Sequence, residues 1–199
     1  MTMIEMTDLH HSYGKNEVLK GISLRIEKGT VIGLLGPSGA GKTTLVNLLT
    51  GQITPTSGNI RCNPETLTSG IMMDSFGLDP ATTEQIHSLI EEEKALGTTI
   101  FLTTHNMHEA EKLCDHIFLL DNGRIIEEGS PEEICRKHNT EQTITLTLQD
   151  GESRTLRNTQ EDAETIYRML LSGEVVRIHS SEPDLETVFL SLTGRRLNE

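Results

Sequence analysis

Residues 31–44 read VIGLLGPSGAGKTT, and this stretch decides the fold. The first five residues form an uninterrupted apolar run, which is typical of a parallel strand buried on both faces. The next nine fit the pattern G-x-x-x-x-G-K-[ST], in which glycines let successive backbone N–H groups turn toward phosphate oxygens. The spacing of Leu45, Leu48 and Leu49 then predicts a helix. Strand, glycine-rich loop and helix together predict a phosphate-binding loop.

The residue types in this loop suggest how a nucleotide would be held. Lys42 is expected to reach the β- and γ-phosphates, and the Thr43 hydroxyl to ligate Mg²⁺. A glycine-rich turn without a ligand is the alternative, and the strand and helix on either side disfavour it. The predicted nucleotide-binding residues of the loop are Gly36, Pro37, Ser38, Gly39, Ala40, Gly41, Lys42, Thr43 and Thr44.

Helix and strand patterns alternate on both sides of the loop. Residues 81–96 predict an amphipathic helix with Ile86, Leu89 and Ile90 on one side, and residues 98–104 predict the next buried strand. Such alternation is typical of an α/β fold with a parallel core sheet. Short alternating segments before residue 30 predict additional N-terminal strands, and Asn122-Gly123 between two apolar runs predicts a hairpin.

The character of the chain changes near residue 140. Residues 143–148 alternate strictly between polar and apolar, a helical pattern covers residues 161–171, and a last helix is expected over residues 184–192. We therefore predict two parts, a nucleotide-binding domain of residues 1–139 and a small α+β C-terminal extension of residues 140–199.

Composition excludes several classes of function. The 199 residues carry 30 acidic and 17 basic side chains, a formal net charge of −13, which argues against a nucleic-acid partner. No run approaches the roughly 20 apolar residues that span a bilayer, so no direct membrane insertion is expected. The three cysteines, Cys62, Cys114 and Cys135, have no CxxC spacing and indicate a reducing cytoplasm.

Three segments outside the phosphate loop resemble motifs of the ATP-binding subunits of ABC transporters. Tyr13, in LHHSYG, is similar to the A-loop aromatic that stacks on adenine in this family. Asp79, in GLDP, resembles the acidic residue of the D-loop, and His105, at the end of FLTTH, resembles the switch histidine. A histidine at the carboxyl end of a parallel strand also lies where α/β sheets bind ligands.

The resemblance covers nearly the whole chain, and the last 60 residues are similar to the C-terminal extension of drug and peptide-antibiotic exporters. It implies a P-loop NTPase fold, with N-terminal antiparallel strands beside the parallel core sheet, that uses ATP and Mg²⁺. It also implies two partners, a transmembrane permease subunit and a second ATP-binding subunit. The expected location is cytoplasmic, peripheral at the inner face of the cell membrane through the permease.

The chain departs from the family pattern between the phosphate loop and the D-loop. Lys42 and Asp79 are only 37 residues apart, too close to hold the family's helical subdomain and its Leu-Ser-Gly-Gly-Gln-type signature. The Asp-Glu-Pro run that supplies the catalytic glutamate is also absent. Asp74 ends either a shortened Walker B strand, where it would support Mg²⁺, or the strand that leads to the Q-loop. We favour the Q-loop interpretation because Gly70 precedes Asp74 by four residues, and we hypothesise an internal deletion.

The predicted function is that of the ATP-binding subunit of an ABC-type exporter, with hydrolysis by this chain alone in doubt. Positioning of water and neutralisation of charge supply nearly all of phosphoryl-transfer catalysis, so the missing glutamate and signature should cost orders of magnitude in rate. One alternative is a non-hydrolytic regulatory or remnant protein that still binds ATP. A small P-loop kinase is a weaker alternative, since no arginine-rich lid follows the central strands.

Overall fold

The apolar run before the phosphate loop forms a strand, and the elements around it alternate as predicted. In chain order the elements are β1 (Thr2–Tyr13), β2 (Asn16–Glu27), β3 (Val31–Leu35), α1 (Lys42–Leu49), β4 (Ser57–Cys62), β5 (Met72–Asp74), α2 (Pro80–Ala95), β6 (Ile100–Thr104), α3 (Met107–Leu113), β7 (His116–Asp121), β8 (Arg124–Gly129), α4 (Pro131–Lys137), β9 (Thr143–Leu148), β10 (Ser153–Arg157), α5 (Gln160–Leu171), β11 (Val175–Ser180) and α6 (Leu185–Thr193).

The computed structural model describes residues 2–62, 72–74, 80–104, 106–140 and 142–195. Two of the predicted site residues, Asp79 and His105, lie outside these ranges, as does Gly70. The chain divides into two units, one of Met1–Ile134 with Leu185–Glu199 and one of Cys135–Asp184. The domain boundary near residue 140 stays a prediction.

The core of the first unit is a sheet with strand order β5-β6-β3-β7-β8. Strand β3 lies in the middle, parallel to β6 and β7, and every one of its residues is buried. Strand β5 pairs in parallel with β6, while β8 pairs antiparallel with β7. A buried parallel sheet with α-helices between its strands confirms the predicted α/β class.

A second sheet in the same unit contains β2, β1 and β4 in that order, with antiparallel pairing throughout. It confirms the N-terminal antiparallel strands, but β4 was not predicted from the sequence. The apolar side chains of this sheet share one core with β3, α1 and β7. This core includes Met6, Leu9, Leu19, Ile22, Ile26, Leu34, Leu45 and Phe118.

The predicted hairpin joins β7 to β8. Asn122 and Gly123 have φ angles of 48° and 78°, the left-handed conformation that a two-residue I′ turn requires. The helix predicted over residues 81–96 is α2, but only part of its expected apolar face is covered. Ile90 is buried, whereas 45% of Leu89 is exposed.

The second unit contains a three-stranded sheet with the order β10-β9-β11, and both outer strands pair antiparallel with β9. Helix α5 connects β10 to β11. The predicted α+β character of this part is confirmed, although β10 was not predicted. Across the described parts of both units, no helix combines the length and the apolar character needed to cross a membrane.

All three cysteines are free thiols, and Cys114 is the most deeply placed. Burial, with the nearby Asp115 charge as a smaller cause, raises the pKa of the Cys114 thiol to about 12. A thiol with so high a pKa is a packing residue rather than a nucleophile. This agrees with the interpretation of the cysteines as unpaired residues.

Candidate nucleotide-binding site

Strand β3 delivers the chain to the phosphate loop at the carboxyl edge of the sheet, where α/β folds bind ligands. The loop leaves β3 after Leu35, and α1 begins at Lys42. Gly36, Pro37, Ala40 and Gly41 are buried; Ser38 and Gly39 are exposed. The predicted strand, loop and helix are therefore present in the predicted order.

Two glycines are required by the shape of this loop. A Cβ on Gly36 would lie 2.2 Å from the Leu120 carbonyl oxygen, a distance that no real contact allows. Gly41 has a φ of +109°, and a Cβ there would lie 2.7 Å from Cδ2 of Leu19. Backbone approach and left-handed conformation, the two uses of glycine in phosphate loops, thus both occur here.

The hairpin turn after β7 forms hydrogen bonds with the phosphate loop and with β2. The Gly123 N–H donates to the Ala40 carbonyl at 3.0 Å, and the Gly123 carbonyl accepts from the Lys20 N–H at 2.8 Å. A Cβ on Gly123 would lie 2.1 Å from the Val18 carbonyl oxygen, so the turn fits closely against β2. The sequence predicted the turn itself but gave no sign of its contact with the loop.

Lys42 places its positive charge over the loop. Its Nζ donates to the Gly36 carbonyl at 2.6 Å and to the Pro37 carbonyl at 3.0 Å, and the residue is half-buried. An ammonium held by main-chain atoms of the loop is fixed where negative phosphate oxygens would lie. The Lys42 ammonium therefore lies within the loop that is predicted to hold phosphate.

The first turn of α1 contributes backbone donors. The Leu45 N–H donates to the Gly41 carbonyl at 2.9 Å and closes that turn, so the amides before Leu45 precede the hydrogen-bond ladder of the helix. The N-cap residue Gly41 offers no side chain to them, and the first turn contains no acidic residue. An uncapped helix N-terminus that faces a glycine-rich loop favours an anion.

Thr43 and Thr44 lie next to each other and differ in exposure. Thr43 is exposed, whereas Thr44 is 8% exposed and packs within the unit. In the described residues no group of three or more His, Cys, Asp or Glu side chains could hold a metal ion. Mg²⁺ in nucleotide sites needs few protein ligands because the phosphates and water complete its octahedron. The accessible Thr43 hydroxyl and the cradle of the loop fit Mg²⁺ bound together with a nucleotide.

Tyr13 ends β1 and presents an accessible ring, with 51% of the residue exposed. Its ring meets the His11 ring edge to face, with a centroid distance of 4.7 Å and an interplanar angle of 78°. His11 Nδ1 lies 3.1 Å from the Thr54 carbonyl oxygen, which can only accept, so Nδ1 carries the proton. His11 is buried and holds Tyr13 from one side.

The structure places the remaining predicted residues only in part. Asp74 ends β5 opposite Thr103 of β6, at the same edge of the sheet as the phosphate loop. His105 directly follows β6 in the sequence, but both His105 and Asp79 lie outside the described residues. The carboxyl ends of β3, β5 and β6 therefore come to one edge, as a shared site would require.

The chain is similar to several bacterial ATP-binding proteins. It is 23% identical to the linearmycin resistance ATP-binding protein LnrL of Bacillus subtilis, over 73% of this chain and 75% of that protein. It is 26% identical to the Nod factor export ATP-binding protein I of Ralstonia nicotianae, over 66% of this chain and 68% of that protein. A methionine import ATP-binding protein, MetN of Caulobacter vibrioides, is 25% identical over 66% of this chain and 68% of that protein.

Solved structures share the fold. One is described as the ATP binding subunit of an ABC transporter, with a TM-score of 0.62, 20% identity and coverage of 83% of this chain and 98% of that one. Another is cbiO1 from Clostridium perfringens, with a TM-score of 0.59, 22% identity and coverage of 69% and 94%.

The alignments with the relatives are longer than the stretch of this chain that they use. The alignment with the Bacillus protein extends over 233 positions but uses 73% of 199 residues, about 145, which leaves about 88 positions without a counterpart here. The Ralstonia protein gives the same excess, since 219 positions use 66% of this chain, about 131 residues. Gaps of this size are what the hypothesis of an internal deletion requires.

The family is established by a match that covers most of the chain. Residues 19–170 match the ABC transporter family, which includes the phosphate loop, the central sheet and most of the second unit. The geometry of the loop and the fold of the solved neighbours agree with this match. The chain therefore belongs to the ABC transporter family.

Proposed function

We propose that this chain is the ATP-binding subunit of an ABC-type exporter and that its phosphate loop binds Mg·ATP. The observation that carries the proposal is the loop between β3 and α1, in which close backbone approach at Gly36 and the Lys42 ammonium form a cradle for phosphate. The shape is set by the protein itself through Leu120 and Gly123. Binding then needs little rearrangement of the main chain.

Each part of the site has a proposed role toward the nucleotide. The amides at the start of α1 and Lys42 hold the phosphates, Thr43 ligates Mg²⁺, and Tyr13 stacks on adenine. His105 as switch histidine and Asp79 in the D-loop are proposed from the family resemblance. Asp74 would support Mg²⁺ under the Walker B interpretation of β5, the alternative to the favoured Q-loop interpretation. Bound Mg²⁺ would neutralise charge on the phosphates.

We further propose that this chain alone hydrolyses ATP poorly. Asp74 is followed by Ser75, where a Walker B strand would supply the glutamate that orients water. The 37-residue interval between Lys42 and Asp79 and the roughly 88 unmatched positions in the relatives support the loss of the signature segment as well. A regulatory or remnant protein that binds ATP without turnover is the second candidate function, and the same observations favour it.

The proposed partners are a transmembrane permease and a second ATP-binding subunit, which would hold the chain at the inner face of the cell membrane. Export is the proposed direction because the relatives include a linearmycin resistance protein and Nod factor export proteins. The relative named for methionine import represents the opposite direction. The C-terminal extension, which resembles that of exporters, favours export.

The binding proposal is tested by titration calorimetry with Mg·ATP on three proteins. The wild-type chain should give saturable binding, and Lys42→Ala should lose it. Lys28→Ala is the matched control, because Lys28 is an exposed lysine just before β3, at the end of the sheet opposite the loop. Absence of wild-type binding, or equal binding by Lys42→Ala, would contradict the proposal.

The role of Thr43 is tested by comparing ATP affinity with and without Mg²⁺. Thr43→Ala should lose most of the affinity that Mg²⁺ adds, while binding of ATP alone stays unchanged. Thr50→Ala serves as the control, since Thr50 also carries a hydroxyl but lies at the other end of α1. An unchanged Mg²⁺ effect in Thr43→Ala would remove Thr43 from the proposed metal site.

A further inference from the structure

The C-terminal helix α6 belongs to the first unit, although the chain reaches it only after passing through the second unit. Its Leu185, Val188 and Phe189 side chains are fully buried. Apolar burial of this extent fixes the helix firmly to the unit that holds the phosphate loop. The ends of α6 make polar contacts with two different elements of that unit.

The start of α6 is bound to α3. The Leu185 N–H donates to the Glu111 carboxylate at 2.7 Å. Glu111 lies on α3, which begins at Met107 with Asn106 as its N-cap, directly after the predicted switch histidine in the sequence. One end of α6 is therefore tied to the helix that follows β6.

The end of α6 is bound to the turn beneath the phosphate loop. The Arg195 guanidinium donates to Oδ1 of Asp121, a side chain that is only 13% exposed. The other carboxylate oxygen of Asp121 accepts from Asn122 Nδ2 at 2.8 Å. The Thr193 hydroxyl lies 2.8 Å from the Phe189 carbonyl and 3.0 Å from the Arg195 carbonyl, and it accepts from the Arg195 N–H at 3.4 Å.

Asp121 connects Arg195 to the loop through main-chain contacts. It opens the turn in which the Gly123 N–H donates to the Ala40 carbonyl. The preceding residue, Leu120, provides the carbonyl oxygen against which Gly36 packs. The position of this turn therefore determines the positions of both Gly36 and Ala40 in the phosphate loop.

We propose that Arg195 is a positioning residue for the phosphate loop. In this proposal, α6 holds the hairpin turn through Arg195, and the turn keeps the loop in the conformation that binds nucleotide. The inference rests on the proposed binding of ATP and adds a residue to it. Without the guanidinium, the mostly buried Asp121 carboxylate retains, among the described residues, the Asn122 amide as its side-chain partner, and the turn loses its hydrogen bond with Arg195. Because coupling is reciprocal, a bound nucleotide also stabilises the docked state of residues 193–195.

The test compares Mg·ATP affinities of wild type, Arg195→Ala, Arg195→Lys and Arg168→Ala. Arg195→Ala should bind about fivefold more weakly, a change typical of coupling between sites, and Arg195→Lys should recover part of the loss. Arg168→Ala is the matched control, because Arg168 makes an exposed ion pair with Glu164 at 2.6 Å in the second unit. If Arg195 had only a structural role, Arg195→Ala would lower the melting temperature and leave the affinity for Mg·ATP at low temperature unchanged.

A second readout follows the reciprocal effect. Saturating Mg·ATP should slow tryptic cleavage after Arg195 by a similar factor of about five in the wild type, and it should not do so in Lys42→Ala. The positioning role of Arg195 would be overturned if wild type and Arg195→Ala bound Mg·ATP equally well, or if nucleotide did not change the rate of cleavage. Either result would leave the proposed function intact. Failure of the wild type to bind Mg·ATP would overturn both.

Discussion

Strand β6 has a neighbour on each side, and the two neighbours differ in how much structure supports them. On one side, β3 pairs with all five residues of β6, also pairs with β7, and leads into the phosphate loop. On the other side, β5 pairs with three residues of β6 and forms the edge of the sheet. The first side carries the groups that we propose bind phosphate. The second is the side on which we hypothesise the internal deletion.

We therefore propose that nucleotide binding and hydrolysis depend on separate segments of this fold. The proposed phosphate-binding groups lie within residues 36–44, next to β3, α1 and the hairpin turn. A glutamate and a signature would have to come from the chain between residues 44 and 80, which is short here. A chain can therefore lose one segment and keep a well-formed loop on the other side of β6.

The largest effect is expected at Gly36. Gly36→Ala forces a Cβ to 2.2 Å from the Leu120 carbonyl oxygen, so the loop must move, and we expect a loss of about 3 kcal/mol in the free energy of unfolding. Gly39→Ala is the control within the same loop, because no atom lies within 4 Å of its added Cβ and only its φ of +79° is unfavourable. We expect about 1 kcal/mol there. Urea unfolding measures the free energy of unfolding of both variants. Equal losses would contradict the close packing of Gly36 against Leu120.

The comparison is sharpened by hydrogen exchange along the sheet. Amides of β3 should exchange close to the rate of global unfolding, because β3 is buried and paired on both sides. Amides of β5 should exchange on the order of a hundredfold faster, because three residues of an edge strand open without unfolding the core. Mass spectrometry on peptides that cover the two strands provides the test. Equal protection would mean that the short strand is as firmly held as the central one.

Adenine stacking gives a smaller effect. Tyr13→Ala should weaken ATP binding about tenfold, within the range measured for base stacking on aromatic side chains. Tyr13→Phe should bind like the wild type, because it keeps the ring and its edge-to-face contact with His11. Fluorescence titration with a labelled ATP analogue measures both variants. If Tyr13→Ala bound ATP as tightly as the wild type, adenine would not stack on Tyr13.

The smallest effect concerns pH and lies away from the loop, on the N-terminal sheet. His10 Nδ1 is 2.8 Å from Glu17 and Nε2 is 3.2 Å from Asp8, and the hydrogen bond with Glu17 is the main cause that raises the pKa of His10 above 6.5. A raised pKa stabilises the folded state fully below pH 6.5, and this contribution disappears as the pH rises through the folded-state value.

His10→Gln should therefore reduce the stability difference between about pH 6 and pH 8, the range in which histidine titrates. His179→Gln, at an exposed position on β11, is the control. Urea unfolding at both pH values measures the difference. If the stability of His10→Gln depended on pH as that of the wild type does, His10 would not be the source of the pH dependence.

The elements that could be predicted from the sequence carry their signals locally. The strand, loop and helix of residues 31–49 combine an apolar run, glycines and a helical period, and Asn122-Gly123 specifies its own turn. Strand β4 was missed because its sequence, SGNIRC, is mostly polar and exposed and pairs with β1, about fifty residues earlier. Its pairing depends on tertiary contacts that no local pattern reports.

The supporting contacts of the site could not be predicted for the same reason. Asp121 and Arg195 are 74 residues apart in sequence and meet only because α6 returns to the first unit. His11 forms its hydrogen bond with the carbonyl of Thr54, 43 residues away. The residues that we propose bind phosphate are therefore visible in the sequence through their motif, whereas those proposed to position the loop are visible only in the fold.

The most direct test of the central claim is to ask what happens to ATP after it binds. The purified chain and Lys42→Ala are incubated with Mg·ATP, and both bound nucleotide and released phosphate are followed by chromatography. We predict that wild type retains intact ATP and releases no more phosphate than Lys42→Ala. Phosphate that accumulates beyond one equivalent per chain and depends on Lys42 would contradict the separation of binding from hydrolysis.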